Sequence, residues 1–83
     1  MKATITLQQL WFNATLLDFF FRKQARETFE EIIDLTGARE SESRFNELSE
    51  AIEGYYLDLD EFEEDCYNLS AQEILDQLEI ETW

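Results

Sequence analysis

The chain has no histidine, no proline, one cysteine and two glycines in 83 residues, and six lysines and arginines stand against 20 aspartates and glutamates. Without histidine, the side chain that most often serves as a general base near neutral pH is missing. Cys66 has no second cysteine to pair with, so no internal disulfide is possible. Glu63, Glu64 and Asp65 precede it, whereas a reactive thiol needs positive neighbours to lower its pKa. Cys66 therefore reads as a small buried apolar residue of a protein kept in a reducing compartment, the cytoplasm. With glycine only at positions 37 and 54 there is no glycine-rich phosphate loop, and neither a nucleophile elbow nor zinc-ligand spacing occurs.

The acidic run from Asp58 fails as a calcium loop. Asp60 falls on loop position 3, which fits, but Phe62, Glu63 and Leu69 occupy positions 5, 6 and 12, which need an oxygen ligand, a glycine and a glutamate. Paired carboxylates do acid–base work only where a cleft desolvates one of them, and a chain this short leaves little room for a cleft. No catalytic residue, cofactor or metal ligand is expected. A net charge of −14 also disfavours direct binding to nucleic acid or anionic membranes, which needs a basic surface. The start, "MKATITLQQLWF", does not read as a signal peptide, because Thr4, Thr6, Gln8 and Gln9 interrupt its apolar run. Leu10 to Phe21 contains Asn13, Thr15 and Asp18 and is too short to span a bilayer.

Hydrophobic residues make up 45% of the chain and aromatic residues 14%, too much apolar surface for a disordered tail. The length fits one small domain, 1–83. Few breakers and many Leu, Glu, Gln and Ala predict a mainly α fold of three to five helices. A short two-stranded β element is compatible with it, pairing "KATIT" (Lys2 to Thr6) with "LEIETW" at the other end. Thr6 and Gln9 have the spacing of a capping box, followed by an apolar stripe at Leu7, Leu10, Ala14, Leu17 and Phe21. Trp11, Phe12, Leu16, Phe19 and Phe20 make that segment apolar nearly all round. Such a helix is buried within its own chain or partly by a second copy, so Trp11, Phe12, Phe19 and Phe20 are candidates for a homodimer or partner contact. The pattern continues through Phe29, Ile32, Ile33 and Leu35 to Gly37, a C-cap glycine, either as one long helix or as two with a bend near Phe21. Arg22, Lys23 and Arg26 can pair with Glu27, Glu30 and Glu31 at helical spacing.

Further helices are predicted with Ser41 or Ser43 as N-cap and Gly54 as terminator, with Asp60 as N-cap, and with a Ser70–Glu73 capping box. "YYLDLD" between the first two alternates as an extended link does. Their inward residues are Phe45, Leu48 and Ile52, then Phe62 and Cys66, then Ile74, Leu75 and Leu78. Their outward residues include Glu47, Glu50, Glu53, Glu61, Glu64, Asp65, Asp76 and Glu79.

Charge divides the chain. Residues 1–41 hold six acids and five bases, a balance of −1, and residues 42–83 hold fourteen acids and one base, Arg44, a balance of −13. "YYLDLDEFEEDCYNL", residues 55 to 69, carries six carboxylates and no positive charge. Like charges this dense repel and cost stability, and an ordinary soluble surface needs a net charge of only about 2–8. Halophilic adaptation would have acidified both halves. Duplex DNA carries one charge per ~1.7 Å of axis, so −13 corresponds to roughly 22 Å of duplex, about six base pairs.

In size, acidity and charge segregation, over residues 42–83, the chain resembles the small acidic DNA-mimic inhibitors that phages and mobile elements use against restriction, repair or CRISPR nucleases. The resemblance implies stoichiometric occlusion of a basic nucleic-acid site in the host cytoplasm, without a cofactor. The side chains expected to make the contact are Glu47, Glu50, Asp58, Asp60, Glu61, Glu64 and Asp65, with Tyr55 and Tyr56 as aromatic anchors. Two other readings fit the composition. One is an immunity protein or antitoxin that holds a basic toxin. The other is an adaptor module in which Phe19, Phe20 and Phe21 carry the contact and the acidity is incidental.

Overall fold

A computed structural model describes residues 7–82. Among the described residues six helices follow one another: α1 (Leu7–Phe12), α2 (Ala14–Phe20), α3 (Lys23–Thr36), α4 (Glu42–Tyr55), α5 (Leu59–Asn68) and α6 (Ala71–Leu78). The fold is mainly α, with more helices than the three to five expected, and no strand among the described residues.

The extra helices come from two breaks in the aromatic N-terminal segment. Asn13 leaves the helix in an extended conformation, and its side chain accepts from the backbone N–H groups of Thr15 and Leu16 at 3.1 and 3.3 Å. It thus caps a new helix instead of continuing the old one. Phe21 and Arg22 are both extended, so of the two alternatives left open, one long helix or two with a bend near Phe21, the second holds and separates α2 from α3. Gly37 takes the left-handed conformation (φ 72°) that costs glycine nothing, and lets the Ala38 N–H reach back to the Ile33 carbonyl at 3.1 Å. Ser41 caps α4 through the Arg44 N–H, and the Ser70–Glu73 capping box opens α6 with both of its hydrogen bonds present.

Several expectations are corrected. Gly54 does not terminate α4: the helix includes it and Tyr55, and its last N–H bond runs from Tyr56 to the Ile52 carbonyl. Asp58, not Asp60, caps α5, accepting from the Glu61 N–H at 3.0 Å. This start lets Leu59 pack against the core and shortens the extended link to Tyr56–Asp58. Leu78 ends α6 and Glu79 is left-handed (φ 57°), so the described residues of "LEIETW", 78–82, do not form the expected strand. Its expected partner, Lys2 to Thr6, lies outside the described residues, as do Thr6 of the first capping box and the Phe12 side chain.

α3 is the central element and packs against α2, α4, α5 and α6. Phe29 stands edge-on to Trp11 and Phe62, with ring centroids 5.5 and 5.4 Å apart, and Phe62 in turn meets Phe21 and Tyr56. Ile32, Ile33, Phe45, Leu48, Ile52, Ile74, Leu75 and Cys66 complete the core, as their helical spacing predicts. Phe21 is buried in this aromatic chain, so it cannot carry an exposed contact. Trp11 is half-buried against Phe29, with the Arg39 guanidinium 4.9 Å from its ring centroid. It packs against the core.

The ion pairs also differ from the helical spacing. Arg22 precedes α3 in an extended conformation and reaches across to α5, while Arg26 pairs with Asp18 at 2.6 Å and Arg39 with Asp34 at 2.8 Å. Among the described residues, none of the pairings of Arg22, Lys23 or Arg26 with Glu27, Glu30 or Glu31 occurs. Arg44, the one base of the second half, donates to the Thr36 carbonyl at the end of α3 (2.7 Å) and to the Glu81 carbonyl (2.8 Å).

Candidate acidic binding surface

The α4–α5 link and the first two turns of α5 form an open concavity of about 440 Å³, lined by Tyr55, Tyr56, Asp58, Asp60, Glu61, Glu64 and Asp65. All seven were expected at a contact surface. Local structure explains the grouping. The tyrosines end α4, Asp58 turns the chain into α5, and the helical period then brings residues 60, 61, 64 and 65 round to one side while Phe62 and Cys66 face the core. Glu47 and Glu50 do not line it. They are exposed on α4, where Glu47 lies 3.6 Å from Arg44.

The seven side chains play different parts. Tyr56 is buried: its ring packs on Phe62, and its hydroxyl donates to Asp65 Oδ2 at 2.6 Å while accepting from Gln77 Nε2 at 3.3 Å. Asp65 is therefore half-buried and engaged, where an outward residue was expected. Gln77 Nε2 also donates to it at 3.2 Å. Burial, and then the bond to Asp65, push the Tyr56 hydroxyl well above the ordinary tyrosine range. Tyr55, by contrast, is 54% exposed and rests edge-on against Tyr56 at 4.8 Å. Asp60 and Glu61 are exposed, and among the described residues they enter no ion pair.

Glu64 is compromised as a free charge. Arg22 Nη2 donates to it at 2.9 Å. The same guanidinium holds Glu63 by two further bonds, Nε to Oε2 at 2.7 Å and Nη2 to Oε1 at 2.9 Å, and the Arg22 backbone N–H adds a third at 3.2 Å. Its flat face covers the Tyr67 ring at 3.7 Å. Glu63 is only 8% exposed, and Arg22 holds its carboxyl below the usual range. The same pairing raises the Arg22 pKa. Glu63 was not among the expected contact residues, and its role is to fasten α5 to the α2–α3 junction. A signal existed: it sits one residue after Phe62 and three before Cys66, on the flank of the buried face.

Chemically, the concavity offers carboxylate acceptors and aromatic faces, a set suited to ammonium and guanidinium groups. Cys66 lies behind it, fully buried, and burial pushes its thiol up, away from the reactive range. Among the described residues no cluster of three or more His, Cys, Asp or Glu side chains is arranged to hold a metal ion, and no helix is long and apolar enough to cross a membrane. Elsewhere on the surface, Phe19 is 81% exposed, with Phe20 beside it edge-on at 5.2 Å. Compared with protein-family models, curated proteins and solved structures, the chain matches none.

Proposed function

We propose that the protein is a stoichiometric inhibitor that mimics nucleic acid and occludes the basic DNA- or RNA-binding site of another protein, such as a restriction or CRISPR nuclease. The observation that carries this reading is the convergence of Asp58, Asp60, Glu61, Glu64 and Asp65 on one open concavity, in a half of the chain with a balance of −13. Principal extents of 35 × 26 × 22 Å let that charge occupy a length comparable to the roughly 22 Å of duplex that carries it in DNA. A cationic groove would gain steering and counterion release from such a surface. Arg22 reduces the effective charge at Glu64, so Asp60 and Glu61 are the acids most available to a partner.

The test is affinity capture from a cell lysate with the wild type and with Asp60→Lys/Glu61→Lys, leaving Glu64 in place because it holds Arg22. The expected result is a captured nucleic-acid-binding protein that duplex DNA displaces, that dissociates as salt rises, and that the variant fails to retain while its helical circular dichroism persists. Retention by the variant, or indifference to duplex DNA, would overturn the reading. The exposed Phe19–Phe20 pair favours the adaptor reading as the second choice. Under it, Phe19→Ser/Phe20→Ser would abolish capture and the charge reversal would not.

A further inference from the structure

Leu57 is 90% exposed at the centre of the three-residue link between α4 and α5, beside the acidic concavity. An exposed leucine alone is ordinary. This one is held from both sides. Before it, the Tyr56 N–H bonds the Ile52 carbonyl at 2.9 Å and the Tyr56 ring is buried on Phe62. After it, Asp58 caps α5. Tyr55 is more than half exposed and rests against Tyr56, and Leu57 follows Tyr56 directly, so two apolar groups stand on either side of one buried residue in the chain. Holding them there costs little ordering entropy on association. Tyr55 lines the concavity together with Asp58, Asp60 and Glu61, and Leu57 lies in the chain between the lining residues Tyr56 and Asp58. An apolar centre with a charged rim is the usual anatomy of a protein–protein contact.

Building on the inhibitor reading above, we infer that Leu57 and Tyr55 form the apolar anchor of this surface, and that the partner presents an apolar patch bordered by lysine and arginine. Charge selects that occupant. A second copy docking on the same face would set Asp58, Asp60 and Glu61 against themselves, and anionic lipid would meet the same repulsion. A purely phosphate-reading groove would leave Leu57 in water.

Isothermal titration of the full chain with two probes tests this: a helical peptide of leucine and lysine with one apolar face, and an oligolysine of equal charge. The wild type is expected to bind the leucine–lysine peptide roughly ten- to hundredfold more tightly, the gain from burying one large apolar side chain. Leu57→Ser should reduce that preference, leave oligolysine binding unchanged and leave the thermal transition in place, since the side chain is exposed, and adding Tyr55→Ser should erase the preference. No preference in the wild type, or an undiminished preference in the double variant, would refute the anchor while leaving the inhibitor reading intact. Asp60→Lys/Glu61→Lys should weaken both peptides. If it weakens neither, the inhibitor reading fails and the basic border of the partner fails with it.

Discussion

Replacing Tyr56 by phenylalanine removes one oxygen and leaves the ring packed on Phe62, so it deletes the short hydrogen bond that ties α4 to α5 together with the longer one accepted from Gln77. That oxygen donates to a carboxylate at 2.6 Å. A hydrogen bond to a charged acceptor contributes about 1.5–3 kcal/mol. Asp65 is half-exposed and keeps the Gln77 donor at 3.2 Å, so the loss should fall at the lower end, about 1–2 kcal/mol. A domain of this length has about 4–12 kcal/mol in total, so the change is easily measured as a lower urea midpoint near neutral pH, followed by helical circular dichroism.

The pH dependence gives a second, independent readout. Tyr56 has its pKa raised in the folded state above the ordinary 10.0. Its contribution is therefore complete below pH 10 and is lost as pH rises beyond it, at up to about 1.4 kcal/mol per pH unit, because the unfolded chain releases the proton first. Cys66 acts with the same sign from its ordinary 9.0 upward. The wild type should thus weaken through both groups above pH 10 and Tyr56→Phe through Cys66 alone, so the gap between them narrows as the solution becomes more alkaline. Equal stability at neutral pH, or parallel alkaline slopes, would refute the assignment of the Tyr56–Asp65 bond.

Glu63 gives the opposite pH signature. Arg22 holds its pKa below the ordinary 4.5, so its contribution is present above that value and is lost as pH falls through the lower folded-state pKa; Glu63→Gln should flatten the acid limb of a urea-midpoint profile relative to the wild type. Gly54 lies in the last turn of α4 without a positive φ, and a Cβ there would meet nothing within 4 Å. Gly54→Ala is therefore expected to raise stability by about 0.4–1 kcal/mol, seen as a higher urea midpoint.

What could be read from the chain was mostly what a few neighbouring residues decide. Gly37, Ser41 and the Ser70–Glu73 box are local chemistry, and each occupies its expected cap. The inward faces of α4, α5 and α6 follow from period alone. Asn13 was equally local but overshadowed by the aromatic run on both sides, which suggested one continuous helix. Asp58 and Asp60 are both competent caps, and the choice between them rests on Leu59 reaching the core. Tertiary pairings were beyond reach. Sequence spacing suggested partners for Arg22 within its own helix, whereas its extended backbone and the nearby turn of α5 deliver it to Glu63, 41 residues away. The acidic site was legible because residues 55 to 65 are the end of one helix, a short link and the start of the next. Glu47 and Glu50 belong to another face, which charge alone could not reveal.

Helix polarity separates the acids that serve the fold from those that do not. Glu42, Asp60, Glu61 and Glu73 lie in first turns, and Asp58 is a cap, so all five stabilise helix N-termini whatever else they do. Their presence alone is no evidence of a partner. The C-termini tell a different story. None of the six helices has a base in its last turn. Glu53 and Asp76 fall in last turns, and Glu79 takes a left-handed cap where glycine would be strain-free. Each such carboxylate costs about 0.3–1 kcal/mol at a helix end, and bases there would return a similar amount. A small domain with a thin margin gains nothing from that placement by way of folding. The two arginines that touch this half do not offset it: Arg44 serves the Thr36 and Glu81 carbonyls besides Glu47, and Arg22 serves Glu63 and Glu64. The remaining negative potential thus works against the fold that carries it, and the cationic partner proposed above would supply the compensation that the fold lacks.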